Sequence, residues 1–389
     1  MTTTAPRCLE ILEKLVGFDT VSRNPNRPLA DWIEAHLCGL GVAVRRVPDE
    51  TGQWVNLFAT IGPREVPGWV LSGHTDVVPV EDQPWSADPF RLRVEDGRAY
   101  GRGTTDMKGF DACVLAMVPA MLERPLARPI HIALSYDEEV GCKGVRRLIE
   151  ALPGFGIAPP LGVLVGEPTS MEVVIAHKGK ESYRTTVTGT AAHSSLAPTA
   201  VNAVEYAAEL VLVIRDIGRR LAAEGPFDAL FDVPHSTAHV GQIHGGTTLN
   251  IVAEHCWFDW EFRTLPEVDL AALVAEVKAY AQDRLLPLMR RVAPSAGIRF
   301  EQLTELPPVD IAPDHPLTTL TKSLAGRNAH RKVAYGTEGG LYQRDGGIPA
   351  IVCGPGDIAQ AHKPDEFVEL AQLAACEAFL ERLIAHCRA

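Results

Sequence analysis

An α/β fold in two parts is what this sequence predicts: a mixed sheet with helices on both faces, interrupted by a smaller α+β domain. Three observations carry the prediction. Four short runs are apolar throughout and are separated by segments with helical spacing. The stretch over 181–303 alternates polar and apolar residues instead. A chain of 389 residues is also longer than one hydrophobic core usually supports.

Along the chain, residues 7–18 place Leu9, Leu12, Leu15 and Val16 on one helical face, and Gly17 supplies a stop. A second helix is predicted over 29–40, ended by Gly41. The apolar runs at 69–72, 130–135, 162–165 and 349–353 have the pattern of strands buried on both faces. Helices over 110–123, 143–152 and 368–386 alternate with them. In the second part, 182–188 is a polar-alternating strand, followed by a helix from Asn202 to about Leu221. Strands near 236–243 and 256–263, a helix over 267–287 and a strand at 297–303 complete it. That β-α-β-β-α-β order predicts a ferredoxin-like insertion with one exposed sheet face. The expected division is 1–180, 181–303 and 304–389, with 305–309 as a return linker.

Bulk properties narrow the function. A formal charge of -12 and no basic run argue against a nucleic-acid partner. Residues 1–7 lack the basic head and apolar run of a secretory signal, and no apolar stretch approaches the about 18–20 residues of a membrane span. A cytoplasmic protein without a membrane partner is expected. The eight cysteines are scattered, with no CxxC spacing, so they are read as reduced core residues. Any metal must then be held by His and carboxylates.

Such residues stand where a site would form. His74 comes just after the run at 69–72, and Asp76 is two positions on. One ring nitrogen of such a His can bind a metal while the carboxylate holds the other N–H and fixes the tautomer. Alone the pair says little, but the pattern repeats. Asp137, Glu138 and Glu139 follow 130–135, Glu167 follows 162–165, and His362 lies a little beyond 349–353. Asp106 sits in the Gly-rich turn 100–109, before a helix. Sites in open α/β sheets form outside the carboxyl ends of the strands. Two His and three or more carboxylates suit a pair of divalent ions such as Zn²⁺, although Co²⁺ and Mn²⁺ accept similar ligands. In extended chain Glu138 and Glu139 would face opposite ways, one binding metal and one free to take a proton from water acidified by the metal. A solvated acidic loop is the plainer reading of that pair in isolation; its place directly after a buried strand weakens it.

The stretches SGHTDVVP, GRGTTDMKG, DEEVGCKG, GEPT and AHKPDE, spread over essentially the whole chain, resemble the di-zinc metallopeptidase and deacylase family. The resemblance implies a di-zinc aminopeptidase-like catalytic domain carrying an inserted dimerisation and lid domain. It also implies that His74, Glu139, Glu167 and His362 hold two zinc ions with Asp106 bridging, that Asp76 orients His74, and that Glu138 is the general base. His193, in a small-residue loop, would reach the active site of the partner subunit in a homodimer and steady the oxyanion. The softer stretches 260–266, 336–341 and 353–362 are similar to the acetylornithine deacetylase branch, which implies release of acetate from N2-acetyl-L-ornithine in arginine synthesis. A related hydrolase is the nearest rival: a succinyl-diaminopimelate desuccinylase, an acetylcitrulline deacetylase or an aminoacylase. A catalytically silent binding protein is the more distant one.

Three substrate contacts are expected. Asn250 and Arg263 are placed to hold the substrate carboxylate, Arg263 through its planar fork. Arg263 serves equally well as an ordinary strand-end cation. Glu338 would pair with the substrate's side-chain ammonium, or else is a first-turn acid favoured at a helix N-terminus. The other histidines are read as surface or core residues, with His177 noted for its place near the domain junction.

Overall fold

The computed structural model describes residues 6–388, so most of the expectation for residues 1–7 lies outside the described residues. The chain forms two compact units. The first runs to Ala176 and takes up again over Val309–Lys332 and from Thr337 onward; the second comprises His177–Pro308 with Val333–Gly336.

The sheet of the first unit has the spatial order Val44–Pro48, Val55–Ile61, Ile130–Ser135, Trp69–His74, Gly162–Pro168, Ala350–Gly354, Val174–His177 and Val309–Asp310. Its four central strands, Ile130–Ser135 to Ala350–Gly354, run parallel, and every residue in them is buried. Burial on both faces removes the two-residue alternation, which is why these strands are unbroken apolar runs in sequence. The helix Lys108–Leu122 is likewise buried on almost all sides, including its polar Lys108 and Asp111. It approaches the sheet so closely that a Cβ on Gly73 would lie 2.1 Å from Asp111 Oδ1. Glycine is therefore required immediately before His74.

Elements beyond the expectation include the antiparallel strands Val44–Pro48, at the sheet edge, and Val55–Ile61 beside it, and a three-stranded sheet of Arg93–Glu95, Arg98–Tyr100 and Phe367–Glu369. Strands of three residues are too short to show a period. The expected linker at 305–309 is reduced to two prolines, because one strand continues through Leu306 and the next begins at Val309.

In the second unit the strands Gly179–Thr188, Thr237–Gly245, His255–Thr264 and Gly297–Leu306 form an antiparallel sheet ordered second, third, first, fourth. His255–Thr264 alternates buried and partly exposed positions, as a sheet covered on one face must. The helix Ala203–Glu224 starts where the Asn202 side chain accepts the Val204 N–H, and it buries Ala207, Leu210, Ile214, Ile217 and Leu221 at helical spacing. The helix expected over 267–287 is interrupted: Leu270–Tyr280 passes through a π turn at Ala281–Leu285 into Leu286–Val292. Pro287 lacks the N–H an α-helix would use there, and the wider turn accommodates it.

Candidate metal centre

The carboxyl ends of the parallel strands, all within the first unit, bring the predicted side chains together. His74 is the last residue of its strand and fully buried. Its Nε2 lies 3.0 Å from Asp106 Oδ1 and 3.6 Å from Glu167 Oε1. His362 Nε2 lies 3.1 Å from the other oxygen of Asp106, Oδ2, and 3.2 Å from Glu139. Asp106 thus faces a histidine with each of its oxygens, the arrangement of a carboxylate shared between two sites. Ligand atoms of His74, Asp106 and Glu139 lie within 4.8 Å of one another, and so do those of His74, Glu138 and Glu167. The set Cys8, Cys113 and Glu377 meets the same distance. There, however, burial raises the Cys113 thiol pKa well above its ordinary value, and Glu377 accepts the Cys8 N–H.

Asp76 is more than a partner of His74. The imidazole Nδ1 is 3.0 Å from the Asp76 main-chain oxygen and 3.5 Å from its carboxylate. That carboxylate accepts the Ser22 hydroxyl at 2.7 Å and the N–H groups of Glu138 at 3.0 Å and Glu139 at 3.3 Å. The extended conformation expected for Glu138 and Glu139 is not found. They begin a tight turn, entered through a left-handed Asp137 and closed by Gly141 and Cys142 N–H groups on the Glu138 carbonyl. Both carboxylates consequently face the cluster. The Cys142 thiol lies 3.2 Å from Glu138 Oε1, where it can donate.

Burial and like charge dominate the electrostatics. Burial, reinforced by Glu139, Asp106 and Asp76, pushes the Glu138 carboxyl up to about 8. Burial and Asp106 push Glu139 up to about 7, and the same two causes raise Glu167 well above the carboxylate range. Hydrogen bonds to Asp106 and Glu139 carry the His362 imidazole up to about 10. Burial opposes charge on His74, but Asp106 and Asp76 outweigh it and raise this ring as well. Acidic groups crowded until protons are held so tightly are a donor set that divalent cations relieve, and the mixture of imidazole and carboxylate fits zinc-like ions.

The remaining predicted residues fall elsewhere. Glu338 is 1% exposed and accepts hydroxyls from Ser72 at 2.5 Å and Ser135 at 2.7 Å. Of the two expectations, a partner for the substrate ammonium or an acid at a helix start, the backbone matches the second, since Glu338 stands at the N-cap position of Gly339–Arg344; Tyr342 also lies on Ser72, at 2.9 Å. His193, Asn250 and Arg263 belong to the second unit. His193 is exposed, with Nδ1 2.8 Å from Ser195 Oγ, and the Ser194 N–H donates to the Asn250 carbonyl. Arg263 Nε donates to Glu261 at 2.8 Å. His177 is fully buried, with Nδ1 2.9 Å from the Lys178 carbonyl. Sequence reasoning did not find Ser22, Ser72, Ser135 or Cys142; a polar residue inside an apolar strand was the available signal for Ser72 and Ser135.

The pattern of the match decides the family, because a family model described as peptidase family M20/M25/M40 covers residues 70–386, from the strand bearing His74 into the last helix. The chain belongs to that family. This M20-family hydrolase is 32% identical over 371 residues to the acetylornithine deacetylase of Photorhabdus laumondii, covering 95% of this chain and 92% of the relative. Its fold resembles a metallo-carboxypeptidase of the M20 family from Sulfolobus solfataricus, with a TM-score of 0.77, 18% identity and 97% and 98% of the two chains covered. A dinuclear metal-binding M20 peptidase from Bacillus subtilis matches with a TM-score of 0.65, 14% identity and 98% of each chain covered. The α/β fold with its mixed sheet is therefore that of M20 peptidases. Among the described residues, no helix is long and apolar enough to cross a membrane.

Proposed function

We propose that the protein hydrolyses N2-acetyl-L-ornithine to L-ornithine and acetate, using two zinc ions, as a cytoplasmic homodimer serving arginine synthesis. The observation that carries this reading is Asp106 standing between His74 and His362, within a chain related to an acetylornithine deacetylase. His74 and Glu167 would hold one ion, His362 and Glu139 the other, with Asp106 shared. Bound divalent cations supply polarisation of the amide carbonyl and a more acidic water.

The chain's own groups do the rest. Glu138 takes a proton from the attacking water, the water oxygen bonds to the acetyl carbon, and the carbon–nitrogen bond breaks as Glu138 returns the proton to the amine. Asp76 keeps Glu138 in place through its N–H. His193 steadies the oxyanion from the partner subunit, and Asn250 with Arg263 holds the substrate carboxylate. The homodimer is supported by apolar side chains left exposed on the second unit, including Leu249 at 100% and Leu196 at 54%. Free cysteines throughout suit a reducing compartment.

To pair with the ornithine ammonium, the Glu338 carboxylate would have to leave the Ser72 and Ser135 hydroxyls that hold it. A panel of N-acylated amino acids and dipeptides, ranked by kcat/KM on metal-reconstituted protein, tests the substrate. N2-acetylornithine should rank first; a higher rank for succinyl-diaminopimelate, acetylcitrulline or a dipeptide would replace it.

A further inference from the structure

His362 is an unusual residue on which to build a metal site. It lies on a loop with a left-handed φ of 62°, and its side chain is 52% exposed. No strand holds it, yet its ring stands within 3.2 Å of both Asp106 and Glu139. Something must fix this loop against the turn that carries Asp106.

A buried ion pair beneath the loop does so. Arg102 and Glu366 each have side chains 1% exposed, with Nη1 2.7 Å from Oε2. The other oxygen of Glu366, Oε1, accepts the N–H groups of Thr105 at 2.9 Å and Asp106 at 3.1 Å. Arg102 Nη1 also donates to the Lys363 carbonyl at 3.3 Å, and Nη2 donates to the Pro79 carbonyl at 3.2 Å and to Gln83 Oε1 at 2.5 Å. Gln83 in turn donates to the carbonyl of His362 itself at 3.0 Å. The guanidinium carbon lies 4.9 Å from the Trp85 ring centre.

The two ends of this network meet the two ligands. Glu366 grips the backbone of Asp106, while Arg102 grips the backbone at and just after His362, directly and through Gln83. A buried pair of this kind contributes little net stability, because desolvation offsets attraction. Its multidirectional hydrogen bonds instead fix geometry, which a planar five-donor fork does and a lysine does not.

We propose that Arg102 and Glu366 are positioning residues for the loop half of the metal centre: they set His362 against Asp106, and with it the affinity of the ion those two share with Glu139. The proposal rests on the two-ion reading above. The half built on His74 and Glu167 sits at strand ends and meets this network only through the Asp106 main chain, while His74 itself also holds the Asp106 carboxylate, at 3.0 Å.

The test is a titration of metal-stripped full-length protein with Zn²⁺, followed calorimetrically and, with Co²⁺, by visible absorption. Unaltered protein that fails to bind two ions would sink the two-ion reading and not this proposal alone. Given two binding steps, Glu366→Gln and Arg102→Lys should each weaken one of them by about 10–100-fold, as loss of a ligand's supporting partner does, and spare the other. Co²⁺ spectra should show the surviving site unchanged. Glu366→Gln keeps shape and one acceptor, so it decides the matter if Arg102→Lys does not fold. Equal weakening of both steps, or no weakening of either in folded protein, would overturn the assignment.

Discussion

The two halves of the candidate metal centre are built by different means. His74 ends a fully buried strand and Glu167 lies within the neighbouring one, so the sheet itself fixes both. Glu139 and His362 lie in a turn and a loop, and their positions depend on the Glu139 N–H donated to the Asp76 carboxylate and on the Arg102–Glu366 pair. One half is set by the fold's core, the other by polar ties added to it. A binuclear site assembled in this way can keep one position rigid while the other remains accessible to solvent.

Glu138 lies with His74 and Glu167 but in the proposed mechanism is the base and not a ligand, so removing its charge separates chemistry from metal binding. Glu138→Gln should lower kcat by about 10²–10⁴-fold, the range for a general acid–base group. Metal content should stay unchanged. Near-wild-type turnover would remove Glu138 from the mechanism, whereas loss of an ion would place it among the ligands.

The contrast between halves is tested next by alanine at each histidine. His74→Ala takes from the buried Asp106 and Asp76 carboxylates the imidazole between them, and should destabilise the metal-free protein by about 3–5 kcal/mol in denaturant unfolding. His362→Ala, at a half-exposed loop, should destabilise the protein less than His74→Ala and remove one ion. Equal destabilisation by both changes would erase the distinction.

How much of this the sequence shows follows the same division. Unbroken apolar runs identify buried strands, so His74 and Glu167 stand out as polar residues at their ends. Arg102 and Glu366 lie inside the stretches GRGTTDMKG and AHKPDE, but nothing local shows that they pair, because that depends on folding. Glu338 is legible only in part: before Gly339 and Gly340 it resembles a helix-start acid, and it does stand at the N-cap position of Gly339–Arg344, but its contacts with Ser72 and Ser135, 266 and 203 residues away, leave no local mark. Periodicity reports on the next turn or strand position and carries no information at that range.

A pH series sharpens the account of the crowded carboxylates. In metal-free protein Glu138 and Glu139 are raised from 4.5 to about 8 and about 7, and His362 from 6.5 to about 10. Each therefore holds its proton more tightly folded than unfolded, and stability falls as pH rises from about 5 to about 9. Asp106 is lowered, and its contribution is already complete above its unfolded value. Tm of the stripped protein should decline across that window, and added Zn²⁺ should raise it more at pH 8 than at pH 6. A flat profile would deny the repulsion. The smallest effect is expected at Glu338→Gln, where one hydroxyl contact is altered: about 0.5–1.5 kcal/mol of stability, with KM for acetylornithine unchanged. A large rise in KM would return Glu338 to the substrate.

Crystals grown with Zn²⁺ and measured at the zinc absorption edge address the shared role of Asp106 directly. Two anomalous peaks should lie about 3.5–4 Å apart, one beside His74 and Glu167, the other beside Glu139 and His362, with Asp106 touching both. A single peak, or two peaks that do not share Asp106, would contradict it.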